Sequence, residues 1–188
     1  MDTIKARRAG FTLIELLMVV AIISVLAAIA IPNLLAAQIR SKVSRARSDM
    51  RSLVTALESY AVDQNQYPPT LQLFGGRPAP EVFTTPVAYI TSIPFDPFKP
   101  TEDEVLRRYE YHNVKQMVAL NTPGWPPNDI NRYGDWRFAS FGPMKVYGPW
   151  MPYDPTNGTV SEGNVIRTQK SSDGSIPFTY WDPANPNY

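Results

Sequence analysis

The chain has 188 residues, a formal net charge of +1, no cysteine and a single histidine, His112. That length holds one domain plus an appendage, and that charge supplies no global basic field for nucleic acid. Without cysteine there are no disulfide staples, thiol chemistry or thiolate zinc sites, and one histidine argues against imidazole-built triads and metal clusters.

Residues 1–10, MDTIKARRAG, set Lys5, Arg7 and Arg8 against Asp2. No charged residue then occurs from Leu16 to Ile39, a run longer than the ~20 positions a helix needs to cross a bilayer. The basic flank ahead of it belongs in the cytoplasm. A secretory signal peptide would explain the flank, the apolar run and the small residues of VLAAIA (25–30). The run is too long for that, and it passes without a break into a patterned helix. A plain N-terminal anchor explains the length. Neither reading accounts for Glu15, a lone carboxylate that is costly in hydrocarbon unless a partner meets it, nor for Gly10 and Phe11 at the seam between charge and oil.

The seam RRAG followed by FTLIELL resembles the class III signal of the type IV pilin superfamily. The resemblance implies a leader peptide of residues 1–10, cleavage by a prepilin peptidase after Gly10, and N-methylation of the new terminal Phe11. It places Glu15 at the fifth mature position, where its carboxylate pairs with the Phe11 amine of a neighbouring subunit during assembly. Two buried charges then compensate each other, and removing one strands the other.

Past Pro32, residues Ala36, Ile39, Val43, Ala46, Met50, Leu53, Leu57 and Tyr60 recur at alternating steps of three and four. That spacing draws one apolar stripe along a helix. Arg40, Lys42, Arg45, Arg47, Asp49, Arg51 and Glu58 form its solvent face. A single helix from about Phe11 to Asp63 would be roughly 80 Å long. Residues 11–39 would be its transmembrane and filament-core part, and residues 40–64 an amphipathic spine. A coiled coil would use the same stripe, but residues 65–188 need a surface to pack on, which favours a sheet. Pro32 removes a backbone donor and should kink or loosen the helix near Ala28. In pilin relatives a proline here marks a stretch that unwinds on assembly; a passive kink is the alternative. The basic cluster is either a solvated face or a contact for anionic lipid headgroups. Lacking interleaved aromatics, it makes no platform for nucleic acid.

SYAVDQNQYPPT (59–70) ends the helix, because Asn65 and the pair Pro68–Pro69 cannot continue it. Tyr60, Asp63, Asn65, Tyr67 and Pro68 resemble the junction in the major pseudopilins of type II secretion, and YITSIPFDPFKP (89–100) resembles their Pro-x-Asp-Pro-aromatic turn. Imperfect alternation and β-favouring aromatics predict strands near 108–120 and 136–141. They would form a small, one-sided antiparallel sheet resting on the helix stripe. His112 is then a strand residue with a satisfied ring. The segment 121–135 is dense in Pro, Gly, Asn and Asp and long for a loop, which predicts bound structure or mobility there.

YDPTNGTVSEGNVIRTQ (153–169) offers oxygen donors from Asp154, Asn157, Thr159, Ser161, Glu162 and Asn164. The resemblance implies a calcium-holding loop, with Asp154, Asn157, Thr159 and Asn164 as candidate ligands. The spacing is not that of an EF-hand. Met144–Lys145 stand where relatives carry an acid and a glycine, and Asn164 where an acid is frequent. The same dipeptides make turns unaided, so both readings stay open.

The expected fold class is α+β: a long N-terminal hydrophobic helix packed on a small antiparallel sheet with long loops, in a globular head of residues 65–188. The resemblance implies a structural subunit that polymerises with itself into a type II secretion pseudopilus. Its implied partners are prepilin peptidase, an inner-membrane assembly platform, minor pilins and membrane lipid. It implies a single-pass bacterial inner-membrane precursor with a cytoplasmic N-terminus, then a periplasmic or extracellular filament. No nucleophile, base and orienting group stand at a spacing that suggests an enzyme. A true type IV pilin of a surface fibre, for adhesion, motility or DNA uptake, is the alternative. The aromatic C-terminal region and the missing calcium acids favour it.

Overall fold

Straight-chain and apolar residues without an interior glycine let one helix, α1, run from Leu13 to Gln64, unbroken through Pro32. The computed structural model describes residues 11–72, 77–99, 101–145, 152–156, 161 and 163–172. The chain divides into two compact units, Met1–Gln38 and Ile39–Tyr188.

In the first unit, α1 presents Ile14, Leu17, Val20, Ile23, Leu26 and Ile29 to its surroundings, each more than half exposed. A helix apolar all round is made for lipid or for other helices. This one is long and apolar enough to cross a membrane. The hydroxyl of Ser24 donates to the carbonyl of Val20 at 2.7 Å, so the polar group is satisfied inside the helix.

In the second unit, α1 buries Val43, Ala46, Met50, Leu53, Ala56 and Leu57, with Ile39 and Val54 packed beside them. This is the stripe read from the spacing, and a sheet occupies it. It meets Phe83, Ile93, Phe98, Tyr109, Tyr111, Trp136 and Phe138 in one core. Ala46 and Ala56 let the aromatic rings approach, and each buried leucine or methionine contributes about 1.5–3 kcal/mol. The helix ends because Asn65 takes a left-handed conformation, φ 54°, which asparagine tolerates at such a terminus.

Strands β1 (Glu110–Asn113), β2 (Trp136–Ala139) and β3 (Ile166–Thr168) form an antiparallel sheet in the order β1-β2-β3. Tyr111 faces Phe138 across β1 and β2, and His112 faces Arg137. Directly opposed residues share a face. Tyr111 and Phe138, ring centroids 5.2 Å apart, therefore point to α1, while His112 and Arg137 point away from it.

That second face corrects the expectation of a one-sided sheet. Helices α2 (Val114–Ala119) and α3 (Asp129–Tyr133) cover it, with Val114, Met117, Trp125, Tyr133, Ala139 and Ile166 in a second core. All four residues of β1 and of β2 are buried as a result. His112 stacks on Trp125 at 5.0 Å, and the Arg137 guanidinium lies over Trp125 at 4.7 Å and Tyr133 at 4.9 Å. Burial, and then the Arg137 charge, hold the His112 ring well below its ordinary pKa, so it is neutral. The segment 121–135 thus holds a short helix and an aromatic lid.

The strand expected over 108–120 stops at Asn113. Its carboxamide oxygen accepts the N–H of Gln116 at 2.9 Å, an N-cap that starts α2. The strand expected over 136–141 stops at Ala139, because Ser140 and Phe141 turn to bond Asp96.

Candidate functional site

Three of the residues singled out for processing and assembly lie on or just before α1. Phe11 precedes the first turn and is exposed, Glu15 lies in that turn, and Pro32 sits within the helix. Gly10 lies outside the described residues. Glu15 is not alone. Its Oε2 accepts the Thr12 N–H at 2.9 Å and the Thr12 hydroxyl at 2.6 Å, while its own N–H donates to Thr12 Oγ1 at 3.3 Å. This is a capping box, which satisfies helix-start donors reciprocally and aligns a carboxylate with the positive end of the helix dipole. Oε1 takes no hydrogen bond among the described residues and retains acceptor capacity for a further donor. The sequence reading passed over Thr12, although the Thr-x-x-Glu spacing marks it.

The junction residues converge on the end of α1. The Tyr89 hydroxyl donates to Asp63 at 2.9 Å, and the Tyr89 ring meets Tyr60 edge-on at 5.7 Å. Glu58 accepts from the Tyr67 hydroxyl at 3.0 Å and from the Trp136 indole at 2.9 Å, tying the helix, the junction and β2 together. Burial and the Glu58 carboxylate push the Tyr67 phenol up to about 12. The Pro-Phe-Asp-Pro turn is built on Asp96. Its carboxylate accepts Phe98 N–H at 2.9 Å, the Ser140 hydroxyl at 2.7 Å and Phe141 N–H at 2.8 Å. Burial raises the Asp96 carboxyl, and these donors work against the rise. Beside it Lys99 forms a buried ion pair with Glu110 and donates to the Arg108 carbonyl at 3.1 Å.

The proposed calcium loop is only partly described. Asn157 and Thr159 lie outside the described residues. Asp154 and Asn164 are brought to neighbouring strands of chain, because Tyr153 N–H donates to the Asn164 carbonyl at 2.8 Å. Asp154 Oδ1 accepts both the N–H and the hydroxyl of Thr156, at 2.8 and 2.7 Å. The Asn164 side chain is buried and donates to the Ser140 carbonyl. A Cβ on Gly142 would lie 2.2 Å from the Gly163 carbonyl oxygen, so the loop packs on the end of β2 by backbone contact. Calcium takes six to eight oxygens, several from carboxylates. Asp154 and Asn164 are the two candidate ligands among the described residues, and Asn157, Thr159 and Glu162 of the loop lie outside them. The same stretch also supplies β3, which the loop reading did not foresee.

Residues 5–31 match the prokaryotic N-terminal methylation motif, and residues 33–116 match the model for type II secretion system (T2SS), protein G. The type II secretion system core protein G of Pectobacterium carotovorum subsp. carotovorum is 33% identical over 136 residues, covering 69% of this chain and 85% of that protein. The chain belongs to the type II secretion system core protein G family. The core protein G of Dickeya chrysanthemi is 35% identical over 142 residues, 72% of this chain and 91% of its own. The type IV major pilin protein PilA of Myxococcus xanthus is 52% identical, but over 61 residues, 32% of this chain and 28% of PilA. No solved structure is a significant match. The core protein G family is one of major pseudopilins, structural subunits of a pilin-type filament. In this member the family match ends at Gln116 within α2. The strands β2 and β3 that complete the sheet lie beyond it.

Proposed function

We propose that the chain is made as a precursor held in the inner membrane by residues 11–39, with its basic leader in the cytoplasm. Prepilin peptidase cleaves it after Gly10 and Phe11 is N-methylated. The subunit then leaves the membrane through an assembly platform, meets minor pilins at the tip, and polymerises with itself into a periplasmic pseudopilus that drives protein export. Its work is mechanical rather than catalytic.

The observation that carries this reading is the Glu15 carboxylate, held by Thr12 one turn from Phe11 with an oxygen still able to accept. Cleavage at Gly10 creates a cationic amine at Phe11, the donor such a carboxylate needs. The amine of one subunit on Glu15 of the next fixes axial register, while the exposed apolar faces pack against one another. Pro32, which frees the Ala28 carbonyl from its helical donor, is where the core helix extends on assembly. Calcium has no required part in this reading.

The test is the intact mass of the membrane-extracted protein with fragmentation of its N-terminal peptide. A chain that starts at methylated Phe11 is the expected result. A chain that keeps Met1, or starts beyond Ala27, overturns the assembly role of Glu15. Long extracellular fibres under negative stain from the native strain would favour the surface-pilus reading.

A further inference from the structure

The solvent side of α1 in the second unit carries more cation than its own chain answers. Arg40, Arg47 and Arg51 are exposed and lie seven and four residues apart, on one stripe. None of them has an ion pair among the described residues. Arg167 of β3 joins them. It stands opposite Phe138 in the register, on the sheet face that packs on α1, where the Arg51 charge weighs on it, and its Nη1 donates to the Ser172 carbonyl at 3.3 Å. The stripe therefore borders the β3 edge of the sheet.

The other flank of α1 differs. Asp49 there accepts the Tyr109 hydroxyl at 2.8 Å and pairs with Arg45 at 3.6 Å. Tyr109 leads into β1, at the opposite edge of the sheet, and the loop that precedes it exposes Glu102, Asp103 and Glu104. Asp103 Oδ1 caps the turn by accepting Val105 and Leu106 N–H, both at 2.9 Å. Glu102 and Glu104 have no ion pair among the described residues.

Opposite charges on opposite edges of one head do not meet within the chain. They match between copies related head to tail, and a heterologous contact of that kind propagates as an open helical filament. We propose that Glu102 and Glu104 of one subunit pair with the Arg47, Arg51 and Arg167 stripe of the next, forming the lateral contact of the filament. This rests on the filament reading above. Exposed pairs are individually weak, so they select the neighbour and its rotation while the apolar helices hold the polymer.

Charge swapping in cells that assemble the full-length protein tests it. Arg47→Glu/Arg51→Glu and Glu102→Lys/Glu104→Lys should each lower the sheared filament fraction about tenfold, because like charges then face each other. The fourfold combination should recover most of that loss. The chain has no cysteine, so Arg47→Cys with Glu104→Cys should give an oxidation-dependent ladder of cross-linked subunits that neither single variant gives. No ladder, or a fourfold variant no better than its parents, overturns the proposal. So does normal assembly of either charge-reversed chain. If only the arginine variant fails, and it also releases from phosphatidylglycerol vesicles, the stripe meets lipid and the proposal is wrong. Wild-type protein cleaved at Gly10 that never forms filaments would instead remove the filament reading, and this inference with it.

Discussion

Replacing Lys99 by methionine takes the ammonium away from Glu110 in a place where water cannot substitute. Both side chains are 3% exposed. Removing one member of a buried pair typically costs about 3–5 kcal/mol, because the remaining charge is stranded. Glu110 would still accept the Arg77 N–H at 2.6 Å on its second oxygen, which moves the expected cost to the low end. The Arg108 carbonyl, which now accepts from Lys99 at 3.1 Å, loses a partner and adds about 1 kcal/mol. A total near 4 kcal/mol corresponds to a fall in Tm of roughly 8–16 °C for a folded unit of this size. The assay is thermal and urea unfolding of the full-length protein in detergent, followed by the near-ultraviolet signal of Trp125 and Trp136. Lys99→Met/Glu110→Leu should recover much of the loss, since two matched apolar groups need no counter-charge. A single variant that shifts Tm by less than about 2 °C would refute the reasoning, as would a double variant less stable than the single.

Acid should weaken the head through His112. Its folded pKa is depressed by burial and by Arg137, so the unfolded chain takes up a proton that the folded chain refuses. The stability tied to the neutral ring is present above about pH 6.5 and declines below it, by up to about 1.4 kcal/mol per pH unit. The raised carboxyls of Asp96 and Asp129 act the other way, favouring the folded chain as acid is added above their unfolded values. The difference between wild type and His112→Gln in urea titrations from pH 7 to pH 5 isolates the histidine; parallel curves would contradict a neutral buried ring. Chelation should leave the Tm of the full-length protein within about 1 °C, because the Asp154 and Asn164 side chains already have hydrogen-bonding partners. Millimolar calcium that raises Tm by mass action would show a working site completed by ligands beyond those described.

What could be read from the chain depended on whether a physical rule acts over a short span. The stripe from Ile39 to Leu57 was legible because helical burial repeats every three or four residues. The stop at Asn65 was legible because asparagine and two prolines refuse a further turn. Residues 114–119 were misread as strand. Val114, Met117 and Val118 fit helical spacing, but six residues are too few to separate a period of 3.6 from one of two. The one-sided sheet failed for a different reason. Nothing local in His112 or Arg137 says that Trp125 and Tyr133 fold back over them. The Lys99–Glu110 pair, which joins two segments through the fold rather than along a helix, carries no sequence signature either. Thr12 was legible and missed; its spacing to Glu15 is that of a capping box.

The magnitudes also assign different tasks to different parts of the subunit. An apolar helix that leaves lipid gains by packing against the helices of its neighbours, while a surface charge pair gains little by forming. The apolar face of residues 11–39 therefore sets whether subunits associate, but it tolerates sliding and rotation, since one leucine matches another. Register needs groups with a single right partner. In the filament proposed above, Glu15 and the Phe11 amine would be such a pair along the axis, and the charged edges of the head would be such a pair around it. Errors in the first would leave a subunit in the membrane. Errors in the second would leave filaments that form and are fragile, and shearing yield rather than membrane extraction is the quantity that separates them.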